Sequence, residues 1–242
     1  MISTEQVARF IYEMGMLKRV SREGWKLIGL DHPESVAAHS LRAAQIGFIL
    51  ASMEEYDQPE HICTMLVFHD IGECRIGDIH KVGRRYIRSD EPTVVKDQVK
   101  DLQVIGEKIL KLYDQIETQS TIEGIIGKDA DLLEMAATAC EYKQQGYHGT
   151  EDWLKNTKTR LRTKSAKDLF RALEETDPVS WWDGLKKISF WPIGLNVQWW
   201  HVIIFVYLRV IEGHMVLDII WIVIVDVLYD MMQFIEIFNM EV

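Results

Sequence analysis

Proline is scarce in this 242-residue chain, with five in all, and no low-complexity tract occurs. That excludes an extended disordered protein. Cysteine is scarce too. Cys63, Cys74 and Cys140 are odd in number, scattered and set among apolar residues, so they exclude a disulfide framework or a zinc finger and fit packing roles in a reducing, cytoplasmic setting. Cations are in deficit, 27 Lys and Arg against 37 Asp and Glu, for a net charge of −10. A role built on non-specific nucleic-acid binding needs clustered cations and is excluded. A small anionic substrate stays open, because a local Arg or a metal ion outweighs the overall field. No basic stretch leads into an apolar run at the start, so no secretion signal is expected. A phosphate-cradling Walker glycine loop is also missing.

What is present reads as helix after helix. Ser3 or Thr4 can cap a first helix with Val7, Phe10, Ile11, Met14 and Leu17 as its buried stripe. A cationic loop follows, with Lys18, Arg19, Arg22 and Lys26 around Trp25. Pro33-Glu34-Ser35 opens a second helix reaching about Met53, and Pro59 starts a third. Residues 79–92 read as a charged surface loop, then one helix from about Thr93 to Tyr113. Ser120 or Thr121 caps the next, which ends at Gly146. Amphipathic segments at 151–161 and 165–175 complete an all-α pattern. Beyond Lys187 the composition changes, and residues 189–208 contain no Asp, Glu, Lys or Arg. The length would permit a membrane span, but Pro192, Asn196, Gln198 and His201 interrupt it. We therefore divide the chain into a domain at 1–187 and an apolar extension at 188–242, covered by the domain, another subunit or lipid.

The chemistry concentrates in ICTMLVFHDIGECRIGD, residues 62–78. An apolar helical run ends in His69, Asp70, Glu73 and Asp78, and unpaired buried charge is costly. A metal ion would account for it. His69 and Glu73 are i, i+4 neighbours and Asp70 and Glu73 are i, i+3, so all three can border one site. His69 and Asp70 diverge by about 100° on a helix, so an ion they share needs further ligands from elsewhere. A His-Asp pair alone is more often a capped helix end. His39, on a small-residue face, alone reads as a core histidine. Of the mid-helix Asp129 and Asp131, one is expected to point inward. Arg22 and Trp25 read either as a solvated basic turn or as an anion clamp with a flat wall.

Taken together, LKRVSREGW, PESVAAHS, FHDIGE, IGD and KDAD, in that order across residues 17–131, resemble the HD-domain metal-dependent phosphohydrolases. The likeness is greatest to their YfbR-like 5′-deoxynucleotidase branch and extends to about Lys187. The resemblance implies a helical HD-domain bundle with a mononuclear metal site at its centre, ligated by His39, His69, Asp70 and Asp131. It implies Glu73 as the acidic residue acting on water, Asp78 on the substrate side, and Arg22, or else Arg19, on the phosphate, with Trp25 beside the sugar. Two imidazoles and two carboxylates suit one divalent Mn, Co, Fe, Ni or Zn ion. The expected reaction removes the 5′-phosphate from (deoxy)nucleoside monophosphates. The alternatives are a cyclic nucleotide, a nucleoside triphosphate or an alarmone as substrate, or a non-catalytic scaffold. A triphosphate's extra charge has no obvious cationic partner in the sequence. A nucleotide ligand, no nucleic acid, and a homodimer are the expected partners.

Overall fold

The computed structural model describes residues 2–185, and among these the regular elements are helices, joined by one isolated bridge between Ser21 and Ser35. The expected boundary at Lys187, the extension at 188–242 and the membrane contact it could make lie outside the described residues.

Helix α1 (Thr4–Met14) starts at a capping box, in which the Ser3 hydroxyl accepts from Gln6 N and the Gln6 side chain accepts from Ser3 N. Phe10 is its buried residue, flanked by Val7 and Met14. Ile11, expected in that stripe, is 57% exposed. It lies about 100° round the helix from Phe10 and so misses the core. Leu17 is buried, but in the 3-10 turn Gly15–Lys18 that follows.

Helix α2 (Val36–Met53) is capped by Ser35, whose hydroxyl accepts from Ala38 N at 3.2 Å. Two main-chain bonds tie the cationic segment to its start: Val36 N donates to Val20 O and Arg22 N to Glu34 O, each at 2.9 Å. Helix α3 (Pro59–Phe68) begins with proline, which has no N–H to leave unpaired there. It packs so closely on α2 that a Cβ at Gly47 would lie 2.2 Å from Leu66 Cδ1.

After Phe68 the ladder tightens. Glu73 N donates to Asp70 O and Cys74 N to Ile71 O, i to i+3, before the short α4 (Glu73–Ile76). The expected helix through Glu73 is therefore two helices with a tight turn between them, and the turn carries His69 and Asp70.

The single helix expected over 93–113 is also broken. Helix α5 (Glu91–Val99) gives way at Gln103, with φ +49°, to α6 (Val104–Thr118). The chain folds back so tightly that a Cβ at Gly106 would sit 2.2 Å from Val99 O. Helix α7 (Ile122–Gln144), capped by Thr121, packs against α2, α3 and α6. Helices α8 (Glu151–Arg160) and α9 (Lys164–Glu175) close over it.

Two apolar clusters result. The larger includes Leu50, Ile62, Leu66, Ile126, Leu133 and Phe170; the smaller includes Phe10, Ile71, Val95, Ile109 and Tyr113. The chain crosses from one to the other between Leu66 and Ile71, through His69 and Asp70. Each fully buried Leu or Ile contributes roughly 1.5–3 kcal/mol, so apolar packing on both sides holds these polar residues in place.

Candidate metal centre and cleft

His39 reaches the site from the first turns of α2, His69 and Asp70 from the turn after α3, and Asp131 from the middle of α7. His69 Nε2 lies 3.1 Å from Asp70 Oδ2. His39 Nε2 lies 3.6 Å from the same oxygen and 3.2 Å from Asp131 Oδ1. His69 Nε2 is 3.9 Å from that Asp131 oxygen. The structure thus brings together all four residues that the family resemblance implies for one ion.

The remaining ring nitrogens fix the tautomers. His69 Nδ1 donates to Leu66 O at 2.7 Å, and His39 Nδ1 donates to Glu134 Oε2. Both Nε2 atoms are thereby turned into the site, where each, once unprotonated, offers a lone pair to an ion. Of the nine buried side-chain polar atoms without a hydrogen-bond partner among the described residues, four gather here: His39 Nε2, His69 Nε2, Asp70 Oδ2 and Glu73 Oε2. Buried polar atoms rarely stay unpaired, and His39, His69 and Asp70 converge closely enough to share one cation. Both nitrogens and both carboxylates suit a divalent transition ion, so the residues fit the group. Burial opposes charge on Asp70, but His69, His39 and Arg22 overcome it and hold the carboxyl below its usual range. Asp131 is likewise desolvated, and Lys128 with the two imidazoles keeps it ionised.

A polar seam between α2 and α7 backs the ligands, and the sequence reading missed it. Glu134 is fully buried. Its Oε1 accepts from Arg42 Nε at 3.0 Å and from Thr138 Oγ1 at 3.0 Å, and Arg42 also reaches Glu141 at 2.6 Å. The signal was there: Lys128, Asp131, Glu134, Thr138 and Glu141 recur every three or four residues on α7, and His39 and Arg42 are i, i+3 on α2. Asp129 was missed differently. It too is buried, but its carboxylate accepts from Arg162 N, Thr163 N and the Thr163 hydroxyl at 2.7–3.1 Å, holding in place the residue that caps α9. Both mid-helix aspartates therefore turn inward, Asp129 buried and Asp131 half-buried at the cleft, where only one was expected to point inward.

Beside the ligands opens a cleft of about 390 Å³, within the range of small-molecule sites. Arg22, Trp25, Asp70, Glu73, Asp78 and Asp131 line it. Glu73 is 3% exposed. Burial, with Asp70 and Asp78 nearby, pushes its carboxyl up to about 9. Arg22 Nη1 lies 3.5 Å from Asp70 Oδ2. Arg19 is exposed, contacts Met16 Sδ and is not among the lining residues. Trp25 is 2% exposed, stacked on Trp153 with centroids 5.3 Å apart and edge-on to Tyr142. It is a core residue whose edge reaches the cleft, and Trp153, Leu27 and Met135 extend the apolar wall. Lys81, Arg84, Lys128 and Arg160 also line the cleft, with His80. Extra phosphate charge therefore has cationic neighbours that the sequence did not reveal.

A His and Asp constellation at the junction of helices, opening on a cleft whose lining mixes cations and carboxylates, defines a class. The HD domain matches residues 14–173, and the chain belongs to the HD-domain family. Among curated proteins it is similar to the 5′-deoxynucleotidase HDDC2 of Dictyostelium discoideum, 32% identical over 142 residues, 54% of this chain and 74% of that protein. It is also similar to the HDDC2 of Bos taurus, 31% identical over 139 residues, 56% of this chain and 67% of that protein. Among solved structures, genomics APC5600 superposes with a TM-score of 0.63 at 33% identity, over 74% of this chain and 99% of its own. No helix among the described residues is long and apolar enough to cross a membrane.

Proposed function

We propose that this protein is a metal-dependent phosphohydrolase that releases phosphate from deoxynucleoside 5′-monophosphates. The observation that carries the reading is the set of unpartnered buried atoms, His39 Nε2, His69 Nε2 and Asp70 Oδ2, opening on the cleft that holds Arg22. The relatives named 5′-deoxynucleotidase support the same substrate class.

A divalent transition ion held by His39, His69, Asp70 and Asp131 would supply Lewis acidity toward the phosphoryl group and activate water. Arg22 offsets negative charge that grows on the phosphoryl oxygens. Glu73 Oε2 has no hydrogen-bond partner. It is thus free to hold or pass a proton at the reacting centre. Asp78 lines the substrate side. Trp153, Leu27 and Met135 offer apolar surface to sugar and base.

The cationic mouth of Lys81, Arg84 and Arg160 favours a second reading, a nucleotide with more than one phosphate. Turnover of dAMP, AMP, dATP and cyclic AMP at matched concentration, read by chromatography of the products from protein loaded with each candidate metal in turn, separates the two. Fastest turnover of dAMP is expected. Faster cleavage of dATP would move the substrate to the second reading, and no cleavage of any of them would remove the enzymatic one.

A further inference from the structure

Lys128 stands one helical turn before Asp131 on α7, and its ammonium donates to Asp131 Oδ2 at 2.7 Å. Its side chain is 23% exposed, and the exposed part lines the cleft. An ammonium has three donors. One goes to Asp131, and no other hydrogen bond to Lys128 forms among the described residues. Arg22 is its counterpart. It lies beside the other ligand carboxylate, Asp70, lines the same cleft, and its guanidinium makes no hydrogen bond among the described residues. Each carboxylate assigned to the ion thus has its own cation, and each cation has unfilled donors.

A partly buried ammonium with spare donors needs further acceptors, and in a cleft these are water or an anion that displaces it. Asp131 cannot supply another, since Oδ1 is directed to the two imidazoles. The acceptor that fits between two such cations has several oxygens and carries charge of its own. A phosphoryl group has three terminal oxygens and matches both a fork of guanidinium donors and a point-charge ammonium.

We propose that Lys128 is a second phosphoryl-binding cation of this cleft, donating to a substrate phosphoryl oxygen from the Asp131 side as Arg22 does from the Asp70 side. This assignment rests on the phosphohydrolase reading. It adds a role for a residue whose ion pair with Asp131 would by itself be only a means of holding a ligand in place.

The test uses the full chain loaded with Mn²⁺, inorganic phosphate as the probe, and Lys128→Met beside Lys128→Arg. Metal content, phosphate affinity by calorimetry and phosphate release from dAMP are measured for each. Lys128→Met is expected to keep its metal and to bind phosphate at least about tenfold more weakly, the loss of one charge-assisted hydrogen bond. Lys128→Arg should recover most of that affinity. Wild-type phosphate affinity in Lys128→Met overturns the proposal, as does loss of the metal, which would confine Lys128 to Asp131. If Lys128→Met does not fold, Lys128→Gln replaces it with the same expectations. A wild-type protein that binds no phosphate also overturns it. Wild-type protein that binds phosphate but leaves dAMP intact would instead sink the nucleotidase reading, while the variants still decide the assignment of Lys128.

Discussion

Asp129 and Asp131 lie two residues apart near the middle of α7, and their surroundings differ completely. On the Asp129 side, four hydrogen bonds from two main-chain N–H groups and a threonine hydroxyl fill the carboxylate and start α9. On the Asp131 side, one oxygen meets Lys128 and the other faces two imidazole nitrogens that have no hydrogen bond. Burial separates them only slightly, Asp129 being 1% exposed and the Asp131 side chain 14%. What separates them is whether the protein itself completes their bonding. A carboxylate completed by backbone donors belongs to the fold, and one facing other incomplete groups belongs to a site.

The most severe way to break this contrast is Asp131→Ala. It should abolish metal binding and phosphate release together, with helix content by circular dichroism unchanged. Full metal occupancy in that variant would remove the proposed ligand set. Asp129→Ala should do the reverse, destabilising the fold by about 3 kcal/mol because several buried donors lose their acceptor. Metal bound per folded molecule should not change, so metal loss with unaltered denaturant stability would exchange the two roles.

A smaller effect sharpens the picture behind the ligands. Glu134→Gln removes the charge that orients His39 through Nδ1. Metal affinity should fall by about 10- to 100-fold, read by competition with a chromophoric chelator; unchanged affinity would show that His39 needs no such partner.

The smallest expected effect concerns Glu91. Burial, with Asp70 and Glu117 nearby, pushes its carboxyl up to about 7. The folded metal-free protein then keeps that proton while the unfolded chain loses it near the ordinary value. Stability contributed by the protonated group is full at low pH and is lost as pH rises through that window. Glu91→Gln should therefore stabilise the metal-free protein by about 1 kcal/mol at pH 8, a figure reduced for the side chain's partial exposure. Near pH 5 the gain should vanish. Equal denaturation midpoints at pH 8 would show that the carboxyl carries no such penalty.

Much of this was legible in the chain. Caps at Ser3, Ser35 and Thr121 and apolar spacing gave the helices. His39, His69, Asp70 and Asp131 were named as one ligand set only through the family resemblance, because His39 alone read as a core histidine and nothing local chose between Asp129 and Asp131. The break at Gln103 was not legible, because a positive φ on glutamine leaves no composition signal and Gly106 was the only cue. Glu134 and Arg42 escaped because their meaning lies in a pairing between two helices about 90 residues apart. Trp25 on its own read more readily as core than as wall, and it is packed on Trp153 while still lining the cleft.

The segment that delivers Arg22 is fastened to the start of α2 by main-chain bonds alone, through Val20 O, Arg22 N, Glu34 O and Val36 N. Main-chain fastening does not read side-chain identity. Substitutions at Val20 or Ser21 therefore leave the position of Arg22 unchanged as long as the backbone keeps its course. Length is read strictly, however. One residue inserted between Val20 and Arg22 would shift the guanidinium out of register with the Ser21–Ser35 bridge, and proline at position 36 would delete a donor outright. Drift at these positions should consist of point changes, with insertions and deletions purged.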